Sequence, residues 1–182
     1  RRAEGGGVSF TNLSSAALRP DDGGKGRTLA FTIAVESPLT DEVRALVQAL
    51  NAYADERTPP AHRYQLTVEQ MAQPDTTMFV ARDADGRAIG MGGLRRHGAG
   101  IGEVKRMYVR RDAQGHGVGS AILAQVERLA REEGFVRLVL ETGSNFDEAR
   151  RVYERAGFAS CDSVLDYPPS PWTAFYQKAL ET

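Results

Sequence analysis

The sequence predicts a mixed α/β domain, and three observations carry that prediction. Apolar patterning alternates between the two-residue period of strands and the 3.6-residue period of helices, in the order strand, helices, hairpin, strand, helix, strand, helix, strand. A strand-like run at 104–109 leads through a short polar link into a glycine-rich turn and a helix. The 182 residues, 41% of them hydrophobic, suffice for one well-buried domain but are short for two.

Residues 1–27 are rich in Gly, Ser, Asp and Arg, including Gly5-Gly6-Gly7 and Asp21-Asp22-Gly23-Gly24. They lack the apolar side chains needed to offset chain entropy, so a flexible tail is expected there and a folded domain over 28–182. Thr28–Val35 reads as a strand. Thr40 caps a helix with Asp41 and Glu42 in its first turn and an apolar stripe of Val43, Leu46, Val47 and Leu50. Pro59-Pro60 breaks the chain, and Thr67-x-x-Gln70 is a capping box for a short second helix ending near Gln73 and Pro74. Met78–Arg82 and Arg87–Leu94 form a hairpin across Asp85-Gly86. Gly98 to Gly102 reads as a loop before the strand Val104–Val109. Val118, Ile122, Val126 and Leu129 recur at helical spacing up to Gly134, and Val136–Glu141 is the next strand. Asn145-x-x-Glu148 reads as the cap of a last helix that Gly157 ends. Val164-Leu165 reads as the start of a strand, and Phe175–Leu180 as the final one.

The formal net charge of −1 gives no global pull toward nucleic acid or an anionic membrane, so neither is an expected partner. Arg95, Arg96, Lys105, Arg106, Arg110 and Arg111 form a local basic cluster, several of them beside the glycine turn. The single cysteine, Cys161, excludes an internal disulfide framework and suits a reducing cytoplasm, the expected compartment. No apolar run approaches membrane-spanning length. His62, His97 and His116 lack the spacing of a metal site, and none is expected.

The glycine turn is where ligand chemistry enters. In Gln114-Gly115-His116-Gly117-Val118-Gly119-Ser120, the glycines let backbone N–H groups turn toward one point. The helix that opens there adds unpaired N–H donors and a positive dipole end, so a phosphate or pyrophosphate is the natural guest. A P-loop would need Gly-Lys followed by Ser or Thr, and no lysine lies between Lys105 and Lys178. A dinucleotide fold would need Gly-x-Gly-x-x-Gly directly after its strand; Ser120 stands at the third position, although Glu141 imitates the ribose-binding acid.

Gln114 to Gly119 fits the pattern Gln/Arg-x-x-Gly-x-Gly/Ala, and Asn145, Ala149, Tyr153, Gly157 and Phe158 fit Asn…Ala-x-x-x-Tyr-x-x-x-Gly-Phe at the proper distance. Together these resemble the GNAT superfamily of acyl-CoA N-acyltransferases, over roughly residues 28–180 and most strongly over 103–158. The resemblance implies a mostly antiparallel sheet with a V-shaped split between two parallel strands. It also implies acetyl-CoA (coenzyme A) as donor and direct transfer to an amine, here of a small-molecule or amino-acid-like acceptor. A homodimer is compatible with it. A non-catalytic acyl-CoA sensor or partner-binding module of the same fold is the alternative.

Acyl transfer needs a neutral amine, a stabilised oxyanion and a proton for the departing thiolate. A free alkyl amine titrates near about 10.4, so a base or relay is required. Tyr153 is the expected general acid, because the matching tyrosine of the resembling family protonates the coenzyme A sulfur. It follows Asn145 by eight residues and Ala149 by four, near one helix face. Glu103, at the start of the motif strand where histone-type members of the resembling family place a glutamate acting directly or through water, is the expected base, with His97 and His116 as alternatives. Coenzyme A is expected on the backbone of Met107, Tyr108 and Val109, which also supplies the oxyanion donor, on Gln114, Gly115, His116, Gly117, Val118, Gly119 and Ser120, and on Asn145. Cys161 reads as a packed residue rather than a nucleophile. Tyr167-Pro168-Pro169-Ser170-Pro171 resembles a stretch found in a bacterial subgroup of small acetyltransferases. Tyr167 and Trp172 are either an aromatic wall beside the acceptor or part of a structural connector.

Overall fold

The computed structural model describes residues 29–181, so the tail expected at 1–27 lies outside the described residues. Seven strands, β1 (Phe31–Val35), β2 (Thr76–Asp83), β3 (Ala88–His97), β4 (Ile101–Val109), β5 (Arg137–Gly143), β6 (Ala159–Cys161) and β7 (Thr173–Ala179), form one sheet in the order β1-β2-β3-β4-β5-β7-β6. Every neighbouring pair is antiparallel except β4 and β5. These two are parallel and pair only through Ile101, Gly102 and Glu103 against Arg137, Leu138 and Val139. Beyond those positions each strand continues unpaired with the other, which opens the split that the resemblance implies.

Alternation along the strands sends successive side chains to opposite faces, and each face has its own core. Met78, Val80, Ala88 and Met91 pack under α1 (Asp41–Asp55) and α2 (Val68–Met71). Phe79, Ala81, Ile89 and Leu94 pack with α3 (Val118–Glu132) and with Tyr153 of α4 (Asp147–Arg155). The predicted stripes face inward: Val43, Leu46 and Val47 of α1, and Val118, Ile122 and Val126 of α3, are all buried. Each such side chain contributes about 1.5–3 kcal/mol when fully removed from water. Among the described residues, no helix is long and apolar enough to cross a membrane.

The caps hold where a hydroxyl starts the helix. Thr40 accepts from the Val43 N–H at 3.4 Å, and Thr67 and Gln70 form the reciprocal capping box at 3.2 and 2.8 Å. Three expectations need correction. The loop expected at 98–102 is only the turn 98–100, because Ile101 and Gly102 already belong to β4. Gly102 allows this: a Cβ there would sit 2.7 Å from Leu94 Cδ1 and 2.9 Å from Leu138 Cδ2, side chains of the strands on either side. Val164 and Leu165 start no strand; Leu165 has φ +51°, and Val164 turns into a small core with Val139 and Phe175. The short strand is Ala159–Cys161 instead, paired with β7 directly after the Gly157 turn. Finally, Asn145 does not cap α4. Phe146 holds the cap position without a side-chain bond, and the Asn145 amide donates to the Arg57 carbonyl at 3.1 Å, beyond the end of α1.

Candidate active site

The glycine turn presents backbone, as its residue types require. Gly115 and Gly117 take φ +78° and +79°, and a Cβ on either would meet nothing within 4 Å. The space a ligand would approach is therefore open. The first helical bond of α3 runs from the Ala121 N–H to the Gly117 carbonyl at 2.9 Å, so the N–H groups of Val118, Gly119 and Ser120 precede the ladder. Val118 is buried and pins the turn to the core, whereas His116 and Ser120 are exposed. The Gln114 amide donates to the Val109 carbonyl at 3.1 Å, tying the turn to the end of β4. Open space, unladdered donors and a helix N-terminus suit the pyrophosphate of coenzyme A.

In β4, the residues that sequence patterning treats as regular strand contain a bulge. Gly93 pairs with Lys105 and Met91 with Tyr108, so Gly92 alone faces both Arg106 and Met107. Arg106 has φ +57°, and the Met107 sulfur packs over Gly92, where any Cβ would collide with it. A bulge interrupts the ladder and re-aims side chains and amides. Here it falls where the unpaired edges of β4 and β5 diverge.

Between those edges lies a recess of about 110 Å³ whose walls include His62, Lys105, Arg106, Glu141, Tyr153 and Trp172. Tyr153 is buried, packed edge-on to Phe158, and burial together with the nearby Glu141 charge holds its hydroxyl well above the usual phenol range. It therefore keeps its proton at any working pH. Glu141, at the position on β5 where pairing with β4 has ended, is half-buried. Burial pushes its carboxyl up to about 7; Lys105 opposes the shift and Glu103 adds to it.

Glu103 has a different environment. It has no solvent exposure, and its carboxylate meets His97 Nε2 at 2.9 Å, the Tyr167 hydroxyl at 2.7 Å and Lys105 Nζ at 3.3 Å. Lys105 in turn donates to the Tyr167 hydroxyl oxygen at 2.9 Å. Glu103 is the hub of a buried polar cluster behind the recess, while Glu141 is on its wall. Met107, within the bulge, and Tyr108 and Val109, after it, continue β4 along the split, half-buried. Asn145 is exposed and engaged with Arg57. Tyr167 belongs to the Glu103 cluster and packs against Tyr64, whereas Trp172 lines the recess. Cys161 lies on β6 at the far edge of the sheet, and burial raises its thiol. Among the described residues no cluster of His, Cys, Asp or Glu is arranged to hold a metal. From sequence, Glu141 stands out only as an imitation of a ribose-binding acid, and Arg106 and His62 carry no signal for a role in the site. The signal for Glu141 would have been its place two residues beyond the last β4–β5 pair.

Residues 43–158 match the Acetyltransferase (GNAT) family. The chain belongs to that family. A curated relative, the IAA acetyltransferase of Azospirillum brasilense, is 36% identical over 150 residues, covering 82% of this chain and 97% of that one. An uncharacterized N-acetyltransferase of Bacillus subtilis is 32% identical over 142 residues, covering 75% and 93%. Among solved structures, a Klebsiella pneumoniae chain assigned to the acyl-CoA N-acyltransferases superposes with a TM-score of 0.71 at 30% identity, covering 83% of this chain and 98% of that one. As a GNAT member the chain is an N-acetyltransferase.

Proposed function

We propose that this GNAT enzyme transfers the acetyl group of acetyl-CoA directly to the amine of a small acceptor held between β4 and β5, with Glu141 as base and Tyr153 as acid. The observation that carries the reading is the pairing of two groups on one recess. One is a carboxyl titrating near working pH and the other a phenol that stays protonated. Environments that push two titratable groups apart are how acid and base roles are divided.

Acetyl-CoA would supply an acyl carbon activated as a thioester, its pyrophosphate on the 114–120 turn. Glu141 takes a proton from the acceptor ammonium, directly or through water, and leaves a neutral nitrogen. As the C–N bond forms, a backbone N–H of the Met107–Val109 stretch on the open side of β4 stabilises the developing oxyanion. When the C–S bond breaks, the Tyr153 hydroxyl gives its proton to sulfur and is refilled by the second proton leaving nitrogen. One proton in all passes to solvent through Glu141. Glu103, saturated by His97, Tyr167 and Lys105, acts as a positioning residue that fixes the Lys105 cation beside the recess.

Purified protein given acetyl-CoA and a panel of primary amines should release free thiol in step with N-acetyl product. Coenzyme A binding without turnover across the panel would instead favour a sensor. Absence of both coenzyme A binding and turnover would overturn the reading.

A further inference from the structure

The recess carries a cation that this chemistry leaves unused. Lys105 is matched by Glu103 at 3.3 Å, and Arg63 by Asp55 at 3.1 Å. Arg106 is in no ion pair among the described residues. Its Nη2 donates to the Asn51 side-chain oxygen of α1, and its Nε is buried without a partner. Burial pulls the guanidinium down to about 10, partly offset by the Asp55 charge, so it is still charged at neutral pH. His62 Nδ1, on the same recess, is likewise buried without a partner.

A half-buried guanidinium with no ion-pair partner among the described residues is an unfavourable arrangement that a ligand can relieve. The β4 bulge makes it possible: Arg106, in the left-handed region, reaches α1, while Lys105 reaches Tyr167, and both still wall one cavity. Asn51 holds the planar fork in place, and a planar fork matches a carboxylate.

We propose that Arg106 receives a carboxylate of the acceptor, so that the substrate class is amines that also bear a carboxylate, as amino acids do. This rests on the acetyl-transfer reading above. The carboxylate completes the charge balance of the recess, and Lys105 with Arg106 disfavours the ammonium form of the amine, easing the proton loss to Glu141.

The test uses acceptor pairs differing only in the carboxylate: leucine with 3-methylbutylamine, tryptophan with tryptamine, lysine with cadaverine. The acid member should be preferred in kcat/KM by about 10–100-fold, the range for a charge-assisted bond. Arg106→Gln should erase that preference through KM with coenzyme A affinity intact. Arg106→Lys should keep part of it, which guards against a loss caused by misfolding. Calorimetry of the N-acetylated members against coenzyme A-loaded protein reads the same preference without turnover. If no acetyl transfer occurs but this binding preference appears and Arg106→Gln removes it, the catalytic reading fails while the carboxylate site stands. Equal treatment of acids and amines in both assays, or a preference that survives Arg106→Gln, overturns the proposal.

Discussion

The turn at 114–120 can offer a ligand only backbone from one contiguous segment, whereas the recess between β4 and β5 is walled by side chains from α1, β4, β5, α4 and the loop before β7. What the first can offer is set by φ values and a helix start, so glycines suffice and side-chain identity hardly enters: His116 is simply exposed. What the second can do depends on which carboxylate is desolvated and which is saturated. Glu103 and Glu141 lie on adjacent strands, yet one is tied by three partners and the other is pushed to titrate near 7. Backbone sites tolerate changes around them that do not fill them; side-chain sites are sensitive to every neighbour's charge.

That contrast can be broken most severely at the turn. Gly117→Asp puts a negative side chain into open space at φ +79°, a conformation Asp accepts better than most residues, so the fold should persist. Repulsion of a bound pyrophosphate should lower coenzyme A affinity by at least ~10²-fold, read by calorimetry. Unchanged affinity would move the anion site elsewhere. On the recess side, Tyr153→Phe keeps the packed ring and removes the hydroxyl. A fall of about 10²-fold in kcat with little change in cofactor affinity is expected for a lost acid. A fall in affinity with kcat intact would make Tyr153 a binding residue.

The smallest expected effect is on stability, and its sign opposes the effect on activity. The Glu141 carboxyl holds its proton more tightly folded than unfolded, so folding takes up a proton between pH 4.5 and about 7, and wild-type stability falls as pH rises through that window. Glu141→Gln lacks the penalty. It should match wild type below that window and exceed it by about 1–3 kcal/mol above it, in denaturant melts at several pH values. Equal pH dependence in the two proteins would mean that Glu141 is not desolvated.

The same contrast explains what was legible in the sequence. Thr40, Thr67, Gly117, Gly134 and Gly157 act on residues within a few positions, and the elements they bound stand where patterning places them. The Arg106–Met107 bulge depends on Gly92 across the sheet, and only the unusual glycines of β3 hint at it. Asn145 has the residue type and spacing of a cap, but a carbonyl 88 residues away in sequence takes its amide. Glu103 was the expected base because it begins the motif strand; that a lysine, a tyrosine and a histidine from three segments would converge on it is a tertiary fact. Glu141 faces the recess because the strands part before reaching it, which local patterning does not encode.

The central claim, that the half-buried wall carboxylate and not the saturated one handles the proton, is tested by the pH profile of kcat/KM. Wild type should gain activity as pH rises through a limb near 7, the value at which Glu141 loses its proton. Glu141→Gln should lose that limb along with about 10²-fold or more of its activity, while Glu103→Gln should keep the limb. A limb that survives in Glu141→Gln and vanishes in Glu103→Gln would contradict the account and return the base to Glu103.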